Sequence, residues 1–222
     1  VQSDVADGAW SRGIPVPGCS RGNPSSDRDG SGACFLTDNS SANDCNSDVD
    51  EGTTTLFSPT FDGTGSDDIQ VSFSRWFSND FGNAPGTDTM VNSISNDGGQ
   101  TWTVVESVGP TGAGTTGGWV DVSFRIADVI TPSATMQMRF EVSDLGADTQ
   151  SVVEAGIDAF SVDFIECVET PDCPEDLTND GLIDVSDILA LLAGFGTAEG
   201  DVNGDGVGDV QDVLDLLAVF GQ

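Results

Sequence analysis

A chain of 222 residues with 38 acidic side chains against six basic ones, all arginine, carries a formal charge of −32. A field of that sign repels nucleic acid and anionic membranes and attracts divalent cations, which excludes nucleic-acid binding, and no apolar run is long enough for membrane insertion. With no histidine and no lysine, a serine or cysteine nucleophile lacks a base and a zinc ion lacks ligands, so the expectation is a protein that is not an enzyme.

The length suffices for one well-packed core and a small second domain. Patterning divides the chain into residues 1–166, a short Cys- and Pro-containing junction at 167–175, and residues 176–222. In the first part, short runs of period-two alternation are separated by Gly, Asn, Asp, Ser and Pro, the pattern of an antiparallel β-sandwich. The first thirty residues read as irregular. Val1-Gln2-Ser3 reads as the stump of a strand, which leaves a sheet edge open to pairing with a neighbouring chain. Strands are predicted at 34–37, 53–57, 69–77, 89–95, 101–106, 119–125, 135–142 and 159–165. In the third, Ile69, Val71, Phe73, Arg75 and Phe77 share a face; in the seventh, Met136, Met138, Phe140 and Val142 oppose Gln137, Arg139 and Glu141.

Between the fourth and fifth strands, Ser95-Asn-Asp-Gly-Gly-Gln-Thr-Trp102 matches the S-x-D-x-G-x-T-W pattern known as an Asp box. It occurs once, with no blade-length period around it, and predicts a structural turn: Ser95 and Asp97 bonding the backbone, Gly98 and Gly99 at positive φ, Trp102 packed beneath. Asp27-Arg-Asp-Gly-Ser-Gly32, Asn46-Ser-Asp-Val-Asp-Glu-Gly52 and Glu154-Ala-Gly-Ile-Asp-Ala-Phe160 resemble the jelly-roll modules appended to secreted bacterial metallopeptidases, and more distantly MAM-like domains, over most of residues 8–166. The resemblance implies a jelly-roll-like sandwich in which calcium joins an early loop to the last strand, held by Asp48, Asp50 and Asp158 with Asp29 as a further candidate. The same aspartates equally fit turn positions that cap backbone N–H groups.

Five cysteines, Cys19, Cys34, Cys45, Cys167 and Cys173, lack metal-type spacing and point to an oxidising compartment. Cys167 with Cys173 and Cys19 with Cys45 are the expected disulfides, leaving Cys34 buried and free.

The last 47 residues repeat themselves. Asp176-Leu-Thr-Asn-Asp-Gly-Leu-Ile-Asp-Val-Ser-Asp187 and Asp201-Val-Asn-Gly-Asp-Gly-Val-Gly-Asp-Val-Gln-Asp212 lie 25 residues apart, each followed by an apolar pattern of helical period. Calcium takes six to eight oxygens, supplied by a loop at positions 1, 3, 5, 7, 9 and 12 with glycine at 6. The first loop offers Asp176, Thr178, Asp180, the Leu182 carbonyl, Asp184 and Asp187, with Gly181 at the turn. The second offers Asp201, Asn203, Asp205, the Val207 carbonyl, Asp209 and Asp212, with Gly206. A hydroxyl at Thr178 makes the first site the weaker one. The apolar residues Ile188, Leu189, Leu191, Leu192 and Phe195, and Val213, Leu214, Leu216, Leu217 and Phe220, are assigned to the core of a two-helix domain. With aspartate at position 12 and no helix ahead of either loop, the pair resembles a type I dockerin. The resemblance implies two bound calcium ions and a cohesin-like protein partner met at Val185 and Ser186 and at Val210 and Gln211; neither pair is the Ser/Thr doublet common in that family.

Two functions follow as expectations. One is a non-catalytic, secreted, calcium-binding structural protein of bacterial type that attaches to a surface partner or assembles with identical subunits into an extracellular fibre. The other is a carbohydrate-binding module released from a larger enzyme, meeting polysaccharide through Trp10, Trp76, Trp102 and Trp119. No carboxylate pair stands out at glycosidase rather than calcium spacing.

Overall fold

A computed structural model describes residues 1–16, 22–39, 48–65, 68–145, 151–164 and 174–220. The chain divides into two compact units, Val1–Glu166 and Cys167–Gln222.

The first unit is mainly β. Its strands in chain order are β1 (Gln2–Ser3), β2 (Trp10–Gly13), β3 (Cys34–Thr37), β4 (Gly52–Phe57), β5 (Ile69–Gly82), β6 (Thr89–Ser95), β7 (Thr103–Val108), β8 (Val120–Arg125), β9 (Gln137–Asp144) and β10 (Ser151–Phe164), with one helical turn, α1 (Ile126–Val129), after β8. They form two five-stranded antiparallel sheets, ordered β1-β4-β9-β6-β7 and β2-β3-β10-β5-β8.

Alternation decides which side chains meet between the sheets. Ile69, Val71, Phe73 and Phe77 of β5 and Met138, Phe140 and Val142 of β9 are all buried, as their spacing predicts. Phe73 of one sheet meets Phe140 of the other edge-to-face at 5.0 Å. Arg75 shares the buried face of β5, where an unpaired charge would be very costly. Its guanidinium spans the core to Glu106 of β7 through two bonds of 2.8 Å, and Asn92 donates to the same carboxylate at 3.0 Å.

Besides β5, which runs on to Gly82, three elements differ from the sequence expectation. Trp10–Gly13 forms an edge strand within the stretch read as irregular, and Trp10 is buried with its indole N–H on the Thr54 carbonyl. The last strand begins at Ser151, eight residues earlier than predicted. Its early half carries Glu154, Gly156 and Asp158, which belong to the motif read for its jelly-roll resemblance rather than as strand; Gly156 is there because a Cβ would sit 2.9 Å from the Trp119 ring. The Gln2–Ser3 stump does pair, but only against Thr55 and Thr54 of β4.

The turn after β6 forms as expected. One Asp97 oxygen accepts from the Gln100 and Thr101 amides and the Ser95 hydroxyl, the other from the Thr101 hydroxyl, and Gly98 and Gly99 take positive φ. These bonds, led by those from Thr101, lower the Asp97 carboxyl from its ordinary 3.8 to about 2. A depressed carboxyl contributes stability that is complete above its unfolded pKa and lost as pH falls through the folded one, here between about pH 4 and 2. Carbon-13 NMR of the Asp97 carboxyl is expected to show a midpoint near 2; an ordinary carboxylate midpoint would mean that the turn is open in solution.

In the second unit, α2 (Val185–Ala193), a short 3-10 turn at Ala198–Gly200 and α3 (Val210–Ala218) follow the two repeat loops. Both helices start on the same device: Asp184 or Asp209 caps the N-terminus while Asp187 or Asp212, three residues on, returns a bond to the capping residue. The buried cluster is small, made of Ile183, Leu191, Val202 and Leu216 with Leu177, Ile188, Val213 and Val219 against it. Gly208 stands where the first copy has Ile183, because a Cβ there would come within 2.7 Å of the Gly200 backbone.

The larger helical core expected from the sequence is not what forms. Leu189, Leu192 and Phe195, and their repeats Leu214, Leu217 and Phe220, are exposed. At 100° per residue, Ile188 and Leu191 centre about 100° around α2 from Val185, Leu189 and Leu192, on an adjacent face. Each helix is apolar on two faces, and two short helices can bury only one against each other.

Candidate calcium loops and ligand surfaces

The two repeat loops share one framework of side-chain-to-backbone bonds. The first carboxylate, Asp176 or Asp201, accepts from the amides of positions 5 and 6: Asp180 and Gly181, or Asp205 and Gly206. Position 5 accepts from position 7 in both, and position 9 from position 11. Gly181 and Gly206 take φ of 83° and 102°, a turn closed to other side chains.

Asp187 and Asp212 at position 12 are fully buried. Each takes the position-9 amide on one oxygen and the position-3 amide on the other. Burial works against ionisation of Asp187, but the Asp184 and Thr178 amides and the Thr178 hydroxyl outweigh it and hold the carboxyl below the ordinary range. For Asp212, the Asp209 and Asn203 amides do the same. Both are therefore carboxylates fixed by the backbone with the negative charge retained, the state that a hard cation requires of its ligands. The donor set in each loop is all oxygen, and it fits calcium.

The loops differ at position 3. Asn203 accepts the Asp205 amide through its side-chain oxygen, whereas the Thr178 hydroxyl donates to Asp187. At position 4 the left-handed backbone is borne by Asn179 in the first loop and by Gly204 in the second. The first loop thus carries backbone strain that the second avoids.

In the sandwich unit, Asp29 and Asp158 lie together, joined by Asp27, with one oxygen of each within 4.8 Å of the others. Asp158 accepts the Arg28 and Asp29 amides on one oxygen. Asp48 and Asp50 sit elsewhere: Asp50 bridges Asp7 by backbone bonds, and the intervening Val49 amide bonds Val153, well before Asp158 on β10. Nothing in the pattern of Asp27-Arg-Asp marked Asp27, which reaches the group only through the fold of its loop. Cys34 is buried and free, its thiol pushed up to about 12, first by burial and then by the Asp158 and Asp27 charges. The expected partners Cys19, Cys45, Cys167 and Cys173 lie outside the described residues.

The two sheets expose different outer faces. That of the second sheet is strapped by the segment around residues 22–32: the Trp76 indole donates to the Gly22 carbonyl, Trp119 to Ser26, and Arg28 forms an ion pair of 2.7 Å with Asp121. Trp76 and Trp119 pack edge-to-face at 5.7 Å and serve as anchors for that strap. With Trp10 buried, the tryptophans read as sugar platforms reduce to Trp102, half-buried on the other sheet, with Phe57 at 5.9 Å and the Arg139 guanidinium 4.7 Å over its ring.

No family model and no curated protein matches the chain. Among solved structures it is similar to the K1 cleaved adhesin domain of Lys-gingipain from Porphyromonas gingivalis, at 14% identity over 74% of this chain and 90% of that one, with a TM-score of 0.46. The K3 adhesin domain of the same protein gives 12% identity over 73% and 98%, with a TM-score of 0.38. A carbohydrate-binding module of Caldicellulosiruptor saccharolyticus solved with mannohexaose gives 13% over 71% and 96%, with a TM-score of 0.34. These likenesses are weak in sequence and in shape, and what the chain does follows from its own residues.

Proposed function

We propose that the chain is a non-catalytic, secreted docking protein, in which a dockerin-like, calcium-loaded C-terminal unit attaches the two-sheet unit to a protein partner. The observation that carries this is the duplicated apolar surface of that unit. Leu182, Val185, Leu189, Leu192 and Phe195 recur as Val207, Val210, Leu214, Leu217 and Phe220, every pair 25 residues apart and every member 40–64% exposed. Burying a side chain of this size is worth about 1.5–3 kcal/mol, so leaving ten in water wastes stability unless a partner covers them. Val185 and Val210, the positions through which the dockerin resemblance implies contact, belong to this surface.

Each calcium ion would be held by the loop oxygens of positions 1, 3, 5, 7, 9 and 12 and would offset part of the repulsion among neighbouring carboxylates. The chain's own residues supply the rest: Asp187 and Asp212 tie each loop to the first turn of its helix, so that loop order and helix position are one event. Asp29, Asp158 and Asp27 are the corresponding candidates for a further ion in the sandwich.

Charge favours a different protein over a second copy as the occupant. The stripes are rimmed by acid, and all six arginines precede residue 140, so another copy brings like charge to the contact. A partner with an apolar centre and a lysine- or arginine-rich rim fits. The test is capture of surface proteins of the producing organism on the immobilised full chain in millimolar calcium. The captured protein should elute with chelator and be lost from a Leu189→Ser, Leu214→Ser variant. Capture that ignores both treatments, or a wild-type chain that sediments as a calcium-dependent homopolymer, would contradict this reading.

A further inference from the structure

The open outer face of the first sheet holds a pocket of about 280 Å³, close to the lower size of small-ligand sites. Phe57 and Thr55 of β4, Arg139 and Glu141 of β9, and Gln2 and Asp4 are among the residues that line it. Register explains the grouping, since Phe57 stands opposite Arg139 and Thr55 opposite Glu141. The chemistry is mixed in a specific way. One half-buried aromatic residue lies beside two carboxylates, a guanidinium, an amide and three hydroxyls.

The Arg139 guanidinium is stacked on Trp102 and stands 3.7 Å from Glu141, too long for a hydrogen bond. Its Nε is buried without a hydrogen-bond partner, and so is the hydroxyl of Ser93, its cross-strand neighbour on β6. Both atoms are sealed from solvent, so what this corner offers a ligand is the remaining N–H groups of the guanidinium, which has no hydrogen bond to Glu141 at that distance.

The charges narrow the ligand. Asp4 and Glu141 against Arg139 leave the pocket net negative, which disfavours anions, and the polar lining disfavours an apolar ligand. A neutral pyranose matches both halves: its C–H face covers an aromatic ring, and adjacent hydroxyls donate to a carboxylate while accepting from a guanidinium. We propose that this pocket binds a neutral pyranose unit of a polysaccharide, with Phe57 stacking on the sugar ring and Glu141 and Arg139 sharing neighbouring hydroxyls. The site is on the first unit and does not depend on docking through the second, so either reading can fail alone.

The experiment is calorimetric titration of the full chain with mannohexaose, xylohexaose and cellohexaose in turn. Binding of at least one is expected, weakened tenfold or more by Phe57→Ala and separately by Glu141→Gln, and unchanged by Trp76→Phe on the strapped face. Absence of binding to all three at millimolar concentration overturns the proposal, as does binding that neither pocket variant weakens.

Discussion

In excess chelator, the full chain is expected to lose the circular-dichroism signal of its two helices while the signal of its sheets persists, and millimolar calcium is expected to restore it. The C-terminal unit carries eleven carboxylates and no basic residue after Cys173, and its buried cluster centres on four side chains. A core that small seldom holds a chain of this length alone. An ion bound only by the folded loop adds about 2.7 kcal/mol at a hundred times its Kd. Calcium bound in two loops would therefore decide between folded and unfolded. Asp201→Ala is expected to cost more than Asp176→Ala, because the second loop has the asparagine oxygen at position 3 and the unstrained glycine at position 4. Helices that survive chelation unchanged would remove calcium from the account.

A larger loss within the sandwich is expected from Arg75→Met. The change leaves Glu106 facing the core with its two guanidinium bonds gone and only Asn92 as partner. Arg75 is buried but Glu106 keeps 26% of its side chain accessible, so the loss falls below that of a fully buried pair, at about 1–3 kcal/mol. For a domain of this size that lowers the melting temperature by roughly 2–12 °C. Arg75→Met with Glu106→Leu should recover most of it, since the stranded charge is then gone. The exposed pair of Arg28 and Asp121, with side chains 46% and 64% accessible, is the control. Breaking it should cost at most about 1 kcal/mol. A drop for Arg75→Met no larger than for the surface pair would show that the solvent already reaching Glu106 is enough to screen its charge.

The parts legible in the sequence are those whose signal is local. Alternation in β5 and β9 identified the core faces down to the inclusion of Arg75, and the Asp97 turn was written in eight consecutive residues. The repeat loops were legible for the same reason, since spacing along twelve residues is all that they need. What escaped depended on a neighbour distant in sequence. Gly156 reads as a break until Trp119 is seen against it. The apolar stripes of α2 and α3 read as one core because the sequence shows two apolar faces without saying which of them another helix covers. The pocket beside Phe57 is assembled from three strands, and only their register brings Arg139 between Phe57 and Ser93.

The placement of the arginines also bears on how the protein withstands proteolysis. Proteases of trypsin type cut after lysine or arginine and must draw several residues of extended backbone into their cleft. Arg12, Arg75, Arg125 and Arg139 all lie within hydrogen-bonded strands, and the Arg28 amide and side chain are tied to Asp158 and Asp121. Backbone paired in a sheet becomes a substrate only when the sheet opens, so cutting at those bonds is held to the rate of unfolding or the population of opened states. The C-terminal unit offers such an enzyme no bond at all, folded or not.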